Sequence, residues 1–379
     1  MKTTIVQLNS VSKILSGFAF DSDYFTSEQI GMPLIRIRDV GFDSTETFYL
    51  GKYSETYRIK KGDFLITMDG EFRIAEWNGP EGLLNQRVCK IDFDETKIDR
   101  RFAYYFLPKE LRRIEDRTPF VTVKHLSVKK IESIEIPLPP LPIQKKIATI
   151  LDKADSLRQK DKQLLEHYTT LAQSIFYDIF GDPTSNPKKW KKIDLGNLVE
   201  FPSALVDPTE GTYSGMKHVG GDNIATDGRL FGLKTAAELG LRSGKFLFDE
   251  SHVLYNKIRP YLNKVAMPNF RGLCSADMYP IRAGKDLTRE FLYKILRSDD
   301  FLNFAATQSR RANIPKINRE ELSSYEMIVP DLNLQKRFSR MFLKIQSIKS
   351  AAEQTSQKSE TLFQALLQKA FKGELVKDP

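Results

Sequence analysis

Apolar residues recur every three or four positions in two long stretches of this chain, and elsewhere they fall in short β-type runs broken by turns. The first stretch, from Gln144 to Phe180, contains neither glycine nor proline. At about 1.5 Å per residue it allows a helix of roughly 55 Å. Its apolar positions are Ile143, Ile147, Ile150, Ala154 and Leu157, then polar Asp161, then Leu164, Tyr168, Leu171 and Ile175. Gly181-Asp182-Pro183 supplies the stop signal. The second stretch begins at Leu334 and closes at Gly373, with Phe338, Met341, Ile345, Ile348 and Ala352 in register. Polar Thr355 and Ser359 follow, and then Leu362 and Leu366. Each reads as a heptad seam interrupted near its middle, and such interruptions weaken a seam while helping to fix its register. Helices this long exceed what one small domain can cover, so they are expected to pair with each other. Each follows its own globular segment, which makes the expected pairing antiparallel.

The β-type texture occupies the remainder. Leu34-Ile35-Arg36-Ile37, Asp63-Phe64-Leu65-Ile66-Thr67 and Arg87-Val88-Cys89-Lys90-Ile91 are strand candidates in the first part, with turns at Met68-Asp69-Gly70 and Asn78-Gly79-Pro80. Val253-Leu254-Tyr255 and Met278-Tyr279-Pro280-Ile281 repeat the pattern in the second. The repetition is an internal duplication: an offset of 191 residues carries Pro139-Pro140-Leu141-Pro142-Ile143-Gln144-Lys145 onto Pro330-Asp331-Leu332-Asn333-Leu334-Gln335-Lys336. It also carries Ile131–Ile136 onto Leu322–Met327 and one apolar seam onto the other. Weaker echoes pair Arg38-Asp39-Val40 with Asp222-Asn223-Ile224, and Gly62-Asp63-Phe64-Leu65 with Ser251-His252-Val253-Leu254. The predicted fold class is α+β. Two similar α/β domains, residues 1–138 and 184–330, are separated and joined by two long antiparallel coiled-coil helices, residues 139–183 and 331–379, in a pseudo-two-fold repeat.

Charge adds a partner class. The formal net charge is +9, and an excess of cations favours nucleic acid through phosphate neutralisation. Cys89 and Cys274 are too few to staple the chain and form no CxxC or Cys/His cluster, so no metal site is expected. The N-terminus lacks a signal-type apolar core and no apolar run approaches the ~20 residues of a membrane span. A cytoplasmic protein with no membrane partner is expected.

The motifs of DNA-modifying enzymes are missing. An amino-methyltransferase needs Asn/Asp-Pro-Pro-aromatic to hold the base amine, but Asn186-Pro187 is followed by Lys188, and Pro139-Pro140 is preceded by Leu138. A metal-dependent nuclease wants Pro-Asp followed by Asp/Glu-x-Lys, and Pro330-Asp331 has no such sequel. There is no Walker lysine, and Gly220-Gly221 alone is a weak cofactor signal. His125, His167, His218 and His252 are scattered; His125 and His218 are weighed as DNA contacts, with a structural role favoured for each. No catalytic residue is assigned. A coiled-coil scaffold binding only proteins would account for the helices, but not for duplicated β-rich domains or the basic charge.

Several segments resemble the specificity (S) subunit of type I restriction-modification systems, and the resemblance covers essentially the whole chain. They are Ile136-Pro137-Leu138-Pro139-Pro140-Leu141-Pro142-Ile143-Gln144-Lys145-Lys146-Ile147; Leu171-Ala172-Gln173-Ser174-Ile175-Phe176 with Phe180-Gly181-Asp182-Pro183; Trp190 with Leu195-Gly196-Asn197-Leu198; and Leu367–Leu375. Asp331 and Asn333 depart from the first copy's prolines, which leaves the second helix entry open. The resemblance implies a non-catalytic subunit whose two target recognition domains each read one half of a split double-stranded DNA sequence in the major groove. It further implies that the paired helices set the spacer and dock two modification (methyltransferase) subunits, and that restriction subunits join them for phage defence. No cofactor is expected in this chain; S-adenosylmethionine, Mg²⁺ and ATP would belong to the partners.

Base reading needs donors and acceptors on exposed loops, while phosphates are met by cations and small polar groups. Candidates in the second domain are Asn256, Lys257, Arg259, Tyr261, Asn263 and Lys264, with Arg310, Arg311 and Asn313. In the first they are Arg36, Arg38, Arg73, Lys124 and His125, within Asp69–Arg73, Thr118–His125 and an early strand. The asparagines would suit adenine, and Arg310 or Arg311 guanine.

Overall fold

All four residues of the strand Phe64–Thr67 are buried, because its two faces meet two different cores. Phe64 and Ile66 join a cluster with Phe102 and Phe106, whereas Leu65 faces Ile35, Ile59, Trp77 and Val88. The strand His252–Asn256 repeats this: Val253 and Tyr255 join Phe291 and Phe301, while Leu254 faces Val219, Phe248 and Met278. A period of two with apolar residues on both sides is what a strand between two layers requires.

The computed structural model describes residues 4–118, 124–201, 204–309 and 315–376. The chain divides into two units, residues 1–162 with 354–379, and residues 163–353. In the first, an antiparallel sheet runs in the order Ser12–Ser16, Val88–Phe93, Phe64–Thr67, Ile74–Glu76. A second sheet has Phe25–Thr26, Phe48–Tyr49, Met32–Ile35, Gly82–Leu84 and Arg58–Ile59, with its third and fourth strands parallel. Helix α1 (Arg100–Arg117) is capped by the Asp99 carboxylate, and α2 (Val128–Glu132) by Ser127. Glu135–Leu138 then pairs with Thr4–Gln7 and leads into α3 (Leu141–Phe180).

The second unit repeats the plan. Its sheets are Val199–Glu200, Met278–Ala283, His252–Asn256, Val265–Ala266, and Lys234–Thr235, Lys217–Val219, Gly272–Cys274, Phe246–Phe248, again with one parallel pair. After a one-turn helix α4 (Gly211–Ser214) come α5 (Arg289–Ile295), capped by Thr288, and α6 (Asp299–Gln308), capped by Ser298. Then α7 (Arg319–Ser323) precedes Glu326–Val329, which pairs with Lys191–Asp194, and α8 (Leu332–Phe371) follows. The bounds of α2, Glu135–Leu138 and α3 map onto those of α7, Glu326–Val329 and α8 at the offset of 191. Asp331, where the first copy has proline, accepts from the backbone N–H of Asn333 at 2.8 Å, so a cap replaces the prolines and the helix starts at the matching place.

The long helices pair antiparallel within each unit. In the first, Arg158 of α3 reaches Glu360 of α8 at 3.3 Å and lies 4.3 Å over the Phe363 ring. In the second, Phe176 and Phe180 of α3 meet Phe338 of α8 at 5.5 and 5.4 Å between ring centres. The seam itself needs correction. Ile147, Ala154, Phe338 and Ile345 are buried as expected. Leu157, Leu164, Leu171, Ile348 and Leu362 are exposed by 40–49%, and Ile150, Tyr168, Ile175, Met341 and Leu366 are half-buried. The buried stripe is instead rotated by one position, to Leu151, Ala172, Phe342 and Phe363. A third helix accounts for the rotation: Leu151 and Phe363 share a core with Phe102 of α1, and Ala172 and Phe342 with Phe291 of α5. A stripe that must face two neighbours cannot follow a two-helix seam.

Candidate nucleic-acid interface

At the end of the central strands, four backbone segments are tied together in each domain, and the ties correspond one to one. In the first, the N–H of Met68 donates to the carbonyl of Arg87 (2.8 Å), Leu126 to Met68 (2.7 Å), Gly70 to Lys124 (3.0 Å) and Asn85 to Ile35 (3.2 Å). In the second, Lys257 donates to Asp277 (3.1 Å), Ile317 to Lys257 (3.1 Å), Arg259 to Pro315 (2.7 Å) and Ser275 to Val219 (3.0 Å). The segment after Ile35 and Val219 turns in the same way in both: Asp39 accepts from the Arg36 N–H at 2.8 Å, and Asn223 from the Gly220 N–H at 2.9 Å. The weak echo between Arg38-Asp39-Val40 and Asp222-Asn223-Ile224 therefore marks one turn, present twice. Backbone bonded internally in this way is a rigid frame, and a rigid frame fixes where its side chains project.

The frame gathers the segments expected to meet DNA. In the first domain Asp69 bonds His125 Nδ1 at 2.6 Å and pairs with Arg87 Nε at 3.3 Å. Arg38, 59% exposed, donates to the Thr47 hydroxyl at 2.9 Å, and it lies on the turn after its strand rather than on the strand. Arg36 is the half-buried residue that opens that turn. Arg73 stands over the Phe42 ring at 5.9 Å with Glu71 at 3.7 Å. Lys124 is paired with Glu115 at 3.7 Å, so its carbonyl serves the frame while its ammonium is turned to an internal carboxylate.

In the second domain Arg259 and Tyr261 are exposed, and Arg259 takes a left-handed backbone (φ 50°) where the first frame has Gly70 (φ 73°). Lys264 is drawn inward to the Gly221 carbonyl at 2.7 Å, and Lys257 to that of Ala276 at 2.8 Å. Of the asparagines expected to suit adenine, two lie among the described residues, and both bond the protein's own backbone. Asn256 is buried and its amide donates to the Ile258 carbonyl at 2.8 Å; Asn263 points to the Arg297 carbonyl at 3.5 Å. Both amides secure the loop. Arg310, Arg311 and Asn313 lie outside the described residues, as do residues 119–123 of the expected first-domain cluster.

His218 is buried, and desolvation, aided by the Lys245 charge, lowers its pKa, which makes it a neutral core residue. Cys89 and Cys274 are buried thiols, and burial pushes Cys89 up to about 12. Neither is a ready nucleophile. Among the described residues no group of three or more His, Cys, Asp and Glu could hold a metal ion, and no helix is long and apolar enough to cross a membrane. The sequence pattern did not single out Arg87, Asp277 or Lys316, although all three stand on the frames. Their position depends on ties between distant segments, and the only local signal was a charged residue at the edge of a β-type run or turn.

Two copies of one frame carrying different side chains, each domain followed by a long helix, define a duplicated recognition protein. A model of the family described as the type I restriction modification DNA specificity domain matches residues 2–167 and 187–360, and the chain belongs to that family. It is 39% identical over 199 residues to the type I restriction enzyme EcoBI specificity subunit of Escherichia coli, a match covering 51% of this chain and 42% of that protein. It thus spans less than half the length of that relative. To the EcoDI specificity subunit of Escherichia coli it is 26% identical over 350 residues, covering 82% of this chain and 77% of that one. The crystal structure of the type I restriction-modification S subunit from M. genitalium matches with a TM-score of 0.63 at 15% identity, over 97% of this chain and 96% of that one. The last is a likeness of fold.

Proposed function

We propose that this chain is the sequence-reading subunit of a type I restriction-modification complex. Each domain reads one half of a split duplex target in the major groove, and the paired helices fix the unread spacer and dock two modification subunits. Restriction subunits complete the nuclease. Methyl transfer to adenine and cleavage belong to those partners, with S-adenosylmethionine, Mg²⁺ and ATP; this chain supplies selection. The observation that carries the reading is the pair of frames with matching backbone bonds, one with Asp69, Arg87 and His125 and the other with Ile258, Asp277 and Lys316. A constant scaffold with changed hydrogen-bonding groups is how one fold selects two sequences. The net charge of +9 supplies the sequence-independent attraction to phosphates.

The test is methylome sequencing of cells carrying this chain together with its modification partner. A split, asymmetric motif with one modified adenine in each half is expected. A single uninterrupted motif, or methylation by the purified chain without a partner subunit, would overturn the reading.

A further inference from the structure

Arg87 is held in a way that surface arginines are not. Its backbone is left-handed (φ 71°), a conformation disfavoured for residues with a Cβ, and its carbonyl is fixed by the Met68 N–H at 2.8 Å. Asp69, with only 20% of its side chain exposed, takes Arg87 Nε at 3.3 Å on one oxygen and His125 Nδ1 at 2.6 Å on the other. At 2.6 Å the imidazole Nδ1–H is committed to the carboxylate, so that nitrogen is no acceptor for Arg87 Nη1 at 3.4 Å. The clamp therefore holds the guanidinium by Nε and leaves 51% of the side chain exposed. A planar fork with its inner edge clamped matches the paired O6 and N7 acceptors of guanine.

The second frame puts a different group at the same place. Asp277 gives its carbonyl to the Lys257 N–H, as Arg87 does to Met68, and exposes 64% of its side chain. Among the described residues Lys257 pairs with it loosely, at 3.8 Å, and donates at 2.8 Å to the Ala276 carbonyl. An exposed carboxylate opposes general attraction to phosphates, but it is an acceptor-only group suited to the exocyclic amine of cytosine.

We propose that Arg87 and Asp277 are one base-reading position occupied twice, Arg87 selecting a guanine in one half-site and Asp277 the amino group of a cytosine in the other. The proposal rests on the DNA-reading function above and deepens it.

The test uses the full chain assembled with its modification subunits and a duplex library of random sequence, with bound DNA recovered and sequenced. Wild type should enrich a split motif. Arg87→Ala should lose roughly 10- to 100-fold preference at one guanine of one half-site, leaving the other half-site and the spacer unchanged. Asp277→Asn should relax one cytosine in the other half-site only. Asp69→Asn keeps the arginine but loosens the clamp, and should relax the same guanine less than Arg87→Ala does; it is also the recourse if Arg87→Ala fails to fold. The proposal falls if wild type enriches a split motif and the variants weaken all sequences equally or keep every base preference. If wild type enriches no split motif, the reading beneath the proposal falls with it.

Discussion

Gln144 and Gln335 make the same three hydrogen bonds at the start of the two long helices, each from a fully buried side chain. Oε1 of Gln144 accepts from the Asp99 N–H at 2.8 Å, and its Nε2 donates to the carbonyls of Lys97 (3.2 Å) and Pro139 (2.8 Å). Gln335 binds the Thr288 N–H at 2.9 Å and the carbonyls of Asp286 (3.0 Å) and Pro330 (2.9 Å). Asp99 and Thr288 are the capping residues of α1 and α5, so one amide joins the entry of the long helix to the start of the domain helix. Gln144→Leu or Gln335→Leu would take the side-chain partner from three backbone groups, at about 1–3 kcal/mol for each one that water cannot reach. Gln→Glu at either site should also destabilise, because a carboxylate cannot donate to the two carbonyls. Denaturant midpoints check this, and stability within about 0.5 kcal/mol of wild type would mean that water replaces the amide.

The duplication was legible because those glutamines sit in the matching Pro-x-Leu-x-x-Gln-Lys segments, where local sequence and buried role coincide. The helix ends were readable from Gly181-Asp182-Pro183 and Gly373, whereas the second entry was left open because Asp331 and Asn333 replace prolines. The buried face was not, since spacing along one helix does not show that α1 and α5 pack on the pair beside the opposite long helix. The clamp on Arg87 was hidden too: it depends on Asp69 and His125, brought near by folding rather than by sequence. A list of polar loop residues cannot separate those that build a loop from those that project from it.

Lys294 on α5 is a half-buried cation whose titration should be visible. It stands 6.0 Å over the Phe176 ring, and burial, with the charges of Arg297 and Lys349, pulls it from 10.5 down to about 8. Between those values the unfolded chain binds a proton that the folded unit does not, so this group's contribution to stability rises with pH across that window. Below about pH 8 the folded unit holds a charge it would be better without. Lys294→Met should therefore be more stable than wild type at pH 7 by about 1–3 kcal/mol, with the gap closing towards pH 10.5. Urea titrations of both proteins at pH 7, 9 and 10 test it; a gap independent of pH would assign the gain to packing alone.

Arg158 joins the two long helices where their seam is polar. Its guanidinium contacts Asp155 at 2.5 Å and Glu360 at 3.3 Å, and stacks on Phe363. Arg158→Met keeps the apolar packing but leaves Asp155, 20% exposed, without its partner, and should cost about 1–3 kcal/mol. Arg158→Lys should lie between, because an ammonium retains charge without the planar fork. Combining Arg158→Met with Glu360→Gln should cost less than the sum of the two single changes. Strict additivity would show that the pair carries no coupling across the helices.

Arg259 separates stability from recognition at one residue. The first frame fills its place with Gly70, which adopts the left-handed backbone freely, whereas an arginine there pays about 1 kcal/mol for its Cβ. The side chain is exposed, and the frame bond runs from its backbone N–H to Pro315. Arg259→Gly should therefore leave stability unchanged or raise it by up to about 1 kcal/mol, relief of the backbone being partly offset by the freer unfolded chain. DNA binding by the assembled complex should weaken at the same time. Affinity measured against salt identifies the contact: a phosphate partner lowers the salt slope by about one and weakens all sequences alike, whereas a base partner relaxes one position of one half-site. Unchanged affinity at every salt concentration, together with a loss of stability, would show that the arginine serves the fold and that the strain has no binding role.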